Sequence, residues 1–423
     1  MDEAGEPSDR ADEFLARCWE AAAAEGNAPE NFVGECSRGM VEVNTPPAGT
    51  FDELSRAYLA VVDFALRVGR GMGIRLYPLA AYPLPMTPPL RADPSYELQA
   101  LTLGRERFLH AGRCVGTHLH LEVPEGTVDR FAVISSGVPA VAREELLNLY
   151  NLGVALDPAI IVLTRSTPFY EGRAPGLAVR TVRYRGSAAY GWEGLYTGLP
   201  LVGGLKPYAE SAQELVEQQL AGYGAWLRAI ARAGFEEHHY AGTGGDILKA
   251  HWGPVRISGF GTVELRGIDG NYPEVILAVA ALIQAAAHRT RSEDLTVEPS
   301  AETRTFEVAG DTLFVPDFEY VSRSLYYAAV TAGVEDPAIA AYLDSITEFA
   351  APGAQGSEHL ERLGPAGGPY RTTEAEILRD FPPSDAPLSR EEGLRLVRAS
   401  CDRLEEQVSS MRDLPSKLKA ETG

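Results

Sequence analysis

Apolar positions recur at helical spacing along several stretches of the chain. Leu54, Tyr58, Val61, Ala65 and Val68 mark one face of a helix. The capping-box sequence Thr50-Phe-Asp-Glu53 opens it, and Gly69, Gly71 and Gly73 close it. A shorter helix is predicted from Asp12 to Ala24, and another from about Tyr96 to Ala111 that leads into a strand at Cys114–Val123. Glu144–Ala155 reads as helix, with the apolar run Ile160–Thr164 after Pro158. Ser211-Ala-Gln-Glu214 starts a helix running to about Ala233, where Gly234 stops it. Residues 255–268 alternate like a strand, and Glu274–Ala287 is apolar enough to be a helix buried on most sides. The Pro-rich stretch Pro78–Pro94 breaks regular structure.

Composition shifts near residue 350. Ala350–Gly368, rich in Gly, Pro and Ala, reads as a linker that separates residues 1–350 from C-terminal helices within 351–423. Those helices are expected to begin at Thr373-Glu-Ala-Glu376 and Ser389-Arg-Glu-Glu392. The last carries Leu394, Val397, Cys401, Leu404, Val408 and Met411 at coiled-coil-like spacing. That stripe either docks on its own domain, the reading with the higher prior, or forms a homodimer contact. Strands are few, dispersed and not in βαβ alternation, so the class is α+β.

Charge narrows the function. Among 423 residues, 59 are acidic and 38 basic, a net charge of −21. Such a chain is a poor ligand for nucleic acid, whose phosphates demand Lys and Arg, and is repelled by anionic membrane surfaces. No uninterrupted apolar run approaches the roughly 20 residues of a membrane span. Met1–Arg10 is acidic and has no apolar core of a secretory signal. Cys18, Cys36, Cys114 and Cys401 form no CxxC pair. Reduced thiols and a cytoplasmic location are therefore expected.

Three short segments could place chemistry on strands. In Gly116-Thr-His118-Leu-His120-Leu-Glu122, strand alternation puts His118, His120 and Glu122 on one face. Two imidazoles and a carboxylate suit a divalent cation; the alternative is a polar face meeting water. In Gly261-Thr262-Val-Glu264-Leu-Arg266, Thr262, Glu264 and Arg266 share a face. A carboxylate beside a guanidinium suits a cation-bound anion, or else a plain salt bridge. In Glu35-Cys-Ser-Arg38-Gly-Met40-Val-Glu42-Val-Asn44-Thr-Pro46, Met40, Glu42 and Asn44 share a face. The Arg-rich stretch Arg165–Arg185 could bind anions, or be a solvated loop. Gly242-Thr-Gly-Gly245-Asp246 is glycine-rich but lacks the Lys-Ser/Thr of a Walker A loop.

Taken in order, these segments resemble the glutamate–cysteine ligase family, in particular its bacterial carboxylate–amine ligase branch. The resemblance rests on Glu35…Glu42-Val-Asn-Thr-Pro, Gly-Thr-His118-Leu-His120, and Ser166-Thr-Pro-Phe169 with Gly172, Gly176 and Arg180. Trp252…Arg256 and Gly-Thr-Val-Glu264-Leu-Arg266-x-x-Asp269 complete it, so that roughly residues 33–290 are covered. It implies a fold related to glutamine synthetase, a curved, mostly antiparallel funnel of strands with helices outside. It also implies ATP and Mg²⁺ or Mn²⁺ in the funnel. The reaction implied is phosphorylation of the γ-carboxylate of glutamate, followed by displacement of phosphate by an amine such as cysteine. By the same resemblance Glu42, His118 and Glu264 would bind metal, and Glu264 and Arg266 would be catalytic. Arg180, Arg256, Thr262 and His120 would contact substrate or nucleotide. The family's opening Gly-x-Glu-x-Glu strand has no counterpart in residues 1–34, so weak metal binding is expected unless Glu35 or Glu122 substitutes. The rival readings are a metal-dependent hydrolase built on His118, His120 and Glu122, and a non-catalytic nucleotide-binding relative.

Overall fold

The computed structural model describes residues 1–26, 28–364 and 369–421. Helices and strands are mixed, and the strands form small separate sheets among the described residues. In chain order they are β1 (Phe32–Gly34), β2 (Val41–Val43), β3 (Gly116–Glu122), β4 (Val128–Asp129), β5 (Val133–Ile134), β6 (Val255–Ser258), β7 (Thr262–Asp269), β8 (Thr296–Ser300), β9 (Glu307–Ala309) and β10 (Thr312–Pro316). β1 pairs with β2, β4 with β5, and the central sheet runs β3-β7-β6, all antiparallel. β8-β10-β9 is mixed, with β10 parallel to β8. The strands thus pair in four pieces, where the resemblance implies one continuous funnel.

The largest core lies behind the central sheet. Val255, Ile257, Val263, Leu265 and Ile268 point into it, against the helices Ala140–Thr164 and Pro273–Ser292. Ala140–Thr164 is one helix that passes through Pro158 instead of ending there. The proline forfeits one intrahelical hydrogen bond. Burial of every residue from Tyr150 to Thr164 offsets that loss. By length and composition this helix could cross a membrane, but 89% of its most apolar window is buried inside the protein. Its apolarity is that of a central core helix. Gly153 sets its distance from the sheet, since a Cβ there would lie 2.8 Å from Leu265 Cδ2 and 3.1 Å from Val255 Cγ1.

Several predicted boundaries move. Helix Phe51–Gly71 begins as expected, with the Thr50 hydroxyl accepting from the Glu53 amide at 3.2 Å. The helix predicted over 96–111 is broken: Pro94–Leu103 ends at Gly104, whose φ of 92° stops the first turn from continuing. Residues 255–268 form two strands, because Gly259-Phe260-Gly261 turns the chain back on itself, with Gly261 at φ 77°. The cap of helix Thr373–Asp380 is Thr372, one residue earlier than predicted.

The C-terminal stripe docks on its own chain. Val397, Cys401, Leu404 and Val408 are buried against residues of the Phe51–Gly71 helix and the Leu76–Leu84 segment. These side chains are therefore packed within their own chain. Helix Thr373–Asp380 is tied in as well, through Arg165–Glu374 and the Thr373 hydroxyl bonding Asn271 at 2.7 Å. Part of the predicted linker, residues 365–368, lies outside the described residues.

Candidate active site

β7 is the middle strand of its sheet, and its register decides the site. Glu264 stands opposite His120 on β3 and opposite Arg256 on β6. Cross-strand partners in an antiparallel sheet present their side chains to the same face. One carboxylate is therefore flanked by an imidazole and a guanidinium, while Arg266 lies two residues along on the same face. The pairing of β3 is irregular between Thr117 and Leu119, and His118 sits at that bulge. Bulges re-aim side chains, and this one leaves His118 Nδ1 3.2 Å from Glu264 Oε1.

The result is a carboxylate held by fixed cations. Glu264 is only 1% exposed. Its Oε1 accepts from Arg266 Nη1 at 2.5 Å and its Oε2 from Arg256 Nε at 2.7 Å. His120 Nε2 is 3.9 Å from Oε1, and the His120 ring is oriented by the Thr262 hydroxyl, 2.8 Å from Nδ1. Burial would raise the Glu264 pKa, but Arg266, His118 and Arg256 outweigh it and hold the carboxyl well below its usual range. His118 is pushed down to about 3, first by burial and then by Arg266, against the pull of Glu264. His120 is lowered too, mainly by burial. Both imidazoles are neutral at physiological pH.

Helix Val179–Arg185 braces the sheet from the side. Arg180 Nη2 donates to the Arg266 carbonyl at 3.0 Å, and its Nη1 is 3.7 Å from Asp269 Oδ1. Arg180 can lie across β3 because residue 116 is glycine: a Cβ there would meet Arg180 Nη2 at 2.1 Å. Arg180, expected to contact substrate, is buried and engaged with the backbone of the Arg266 strand. One turn on, Tyr184 acts on Arg266, and the Arg180 guanidinium lies 5.7 Å from the Tyr184 ring centroid. Tyr184 was not singled out from the sequence, where only its place four residues after Arg180 marks it. Arg266 Nε has no partner among the described residues, a buried donor left over at the edge of the site.

The β1–β2 hairpin brings two carboxylates to this cluster. Glu35 and Glu42 act on one another and on the central sheet: Glu35 is influenced by Arg266, and His120 by Glu42. Burial raises the Glu35 pKa, and Glu42 raises it further, against the pull of the Cys36 amide and Arg266. No group of three Asp, Glu, His or Cys residues converges at metal-binding geometry among the described residues. The set Glu42, His118 and Glu264 is therefore not a ready cation cage, since both oxygens of Glu264 are occupied by arginines. Glu35 and Glu42 make no ion pair among the described residues, and a hard cation would suit the two. Glu122, the other candidate substitute, is exposed at the end of β3, opposite Thr262.

A family model described as glutamate-cysteine ligase family 2 matches residues 6–314. The chain belongs to that family. Among curated relatives, a Rubrobacter xylanophilus protein provisionally named glutamate–cysteine ligase 2-3 is 29% identical over 280 residues, 64% of each chain. A Pseudomonas aeruginosa protein provisionally named glutamate–cysteine ligase 2 is 25% identical over 157 residues, 37% of each. The matches thus span about 64% of the first relative and about 37% of the second. In this member of the glutamate–cysteine ligase family, the matched segment contains β1, β2, β3, β6 and β7, which carry every candidate residue except Glu35, Arg180 and Tyr184; these three lie within it as well.

Proposed function

We propose that this protein is an ATP-dependent carboxylate–amine ligase that activates the γ-carboxylate of glutamate and forms an amide with an amine such as cysteine. Family membership supports ligase chemistry of the glutamate–cysteine type. The observation that carries the finer reading is one juxtaposition. The guanidiniums of Arg266 and Arg256 are fixed on Glu264, and the Glu35–Glu42 pair, which makes no ion pair among the described residues, lies within electrostatic reach of Arg266. A nucleotide with its counter-ion needs both: cations for the phosphoryl oxygens and carboxylates for the metal.

Phosphoryl transfer depends on positioning and charge neutralisation more than on covalent help from the protein. In this reading Arg266 orients the oxyanion with the N–H groups not given to Glu264. Glu264 keeps Arg266 and Arg256 in place, and neutral His118 and His120 line the adjoining edge as hydrogen-bonding groups. A divalent cation, Mg²⁺ or Mn²⁺, would be held by Glu35 and Glu42 and would supply charge for the phosphates. The sheet and hairpin together would be the local counterpart of a glutamine-synthetase-like funnel.

Chemically, a γ-carboxylate oxygen of glutamate attacks the γ-phosphorus of ATP and ADP leaves. The amine then attacks the acyl carbon, and phosphate departs with that oxygen. ADP release measured with glutamate and a panel of amines tests the reading. Release that needs both substrates is expected. Hydrolytic turnover without ATP would replace the ligase with a hydrolase.

A further inference from the structure

A second cluster gathers around Arg183, one turn along helix Val179–Arg185 from Arg180. We propose that His110, Arg107, Arg113, Arg183 and Tyr170 form an oxyanion site that takes a phosphate-bearing small molecule. The site is independent of the ligase reading.

In a chain of net charge −21, three guanidiniums act on one imidazole, with Arg183 foremost, followed by Arg113 and Arg107. Their neighbours only partly answer them. Arg113 Nη1 is 3.2 Å from Glu171, and its Nε donates to the Met86 carbonyl at 3.0 Å. Arg107 is 3.8 Å from Glu193, whose side chain is 73% exposed and whose field is therefore largely screened. Arg183 has no hydrogen bond from its side chain and no ion pair among the described residues. Its guanidinium rests only over the Tyr170 ring, 5.1 Å from the centroid. A half-buried guanidinium with cationic neighbours and no counter-charge is electrostatically unfavourable, and a bound oxyanion removes that cost.

The Tyr170 hydroxyl is 2.8 Å from His110 Nδ1 and also feels Arg113. With Tyr170 donating to Nδ1, the His110 proton sits on Nε2, a second donor to set beside the Arg183 fork. Tyr170 is held in place by a tight turn that pairs it with Arg173 and runs through left-handed Glu171 and Gly172. His110 is pushed down to about 4, first by burial and then by the three arginines, so it is neutral when the site is empty. Arg183 is one turn from Arg180, and both act on buried Cys114 between the two clusters. The phosphate could belong to the nucleotide of the candidate active site or to a separate small molecule.

Inorganic phosphate added to the full-length protein tests the proposal, followed by the His110 ring resonance and the thermal midpoint. A saturable shift of His110, an upward move of its titration and a raised midpoint are expected, all lost in Arg183→Gln. Should that variant fail to fold, Arg107→Gln, an exposed side chain, must weaken the response. ATP that displaces phosphate from His110 would assign the site to the nucleotide; ATP without effect would assign it to a separate phosphate compound. A His110 resonance that phosphate does not shift saturably would overturn the proposal. So would a folded variant with the wild-type response.

Discussion

Two carboxylate sites meet at the centre of this molecule and have opposite fates. On the three-stranded sheet, Glu264 is almost wholly buried yet fully ionised, because Arg256 and Arg266 each take one of its oxygens. On the short β1–β2 hairpin, Glu35 is less buried by surface yet resists ionisation, first because of burial and then because Glu42 adds to it instead of offsetting it. Burial acts on both in the same direction; the partners decide the outcome. The sheet half is complete as folded, whereas the hairpin half still lacks a cation.

The sharpest way to break this contrast is Glu264→Gln. Two buried guanidiniums would lose their counter-charge, and breaking a buried pair costs about 3–5 kcal/mol. The unfolding free energy from urea titration should fall by that amount, and ADP formation should cease. A variant that keeps most of its turnover would remove Glu264 from the site. Next in size is Arg266→Lys, which keeps the charge but not the planar fork. An activity loss of about a hundredfold is expected in steady-state assays, and near-normal turnover would reduce Arg266 to a salt-bridge partner. Gly153→Ala would press a methyl group on Leu265 and Val255 and shift β7 from behind, costing about 1–3 kcal/mol in equilibrium unfolding.

The smallest effect sharpens the other half. The folded-state pKa of Glu35 is raised above its model-compound value of 4.5, so the folded state binds more protons than the unfolded state in that window. Glu35 should therefore cost stability as pH rises from 4.5 through its folded pKa. Glu264, with a lowered pKa, contributes stability that is present above 4.5 and lost as pH falls through its folded value. Glu35→Gln should flatten the loss on the rising side and leave the acid limb unchanged. Mg²⁺ should raise the thermal midpoint of the wild type at neutral pH more than that of Glu35→Gln or Glu42→Gln.

The strand periods of 116–122 and 262–266 were enough to put His118, His120, Glu264 and Arg266 on interacting faces, because a strand's two-residue repeat is local information. What sequence did not reveal was that Arg256 belongs to a separate strand. The signal was present in Gly259-Phe260-Gly261, two glycines inside an alternating run, which mark a turn. Without that hairpin there is no reason to place Arg256 opposite Glu264, and Glu264 reads as a free metal ligand. The same limit applies to Glu35: its interaction with Glu42 depends on the β1–β2 pairing. Pro158 misled in the other direction, since its local preference to end a helix was overridden by burial on all sides. The docking of Val397 and Leu404 on their own chain was decided by where the Phe51–Gly71 helix lies, a tertiary fact.

The account turns on whether the acid is activated by phosphorylation. Glutamate labelled with ¹⁸O in its γ-carboxylate should be incubated with ATP, an accepted amine and the protein, and the released phosphate examined by mass spectrometry. Transfer of one ¹⁸O to phosphate for each amide formed is the predicted result. Unlabelled phosphate alongside amide formation, or phosphate released without amide, would contradict it.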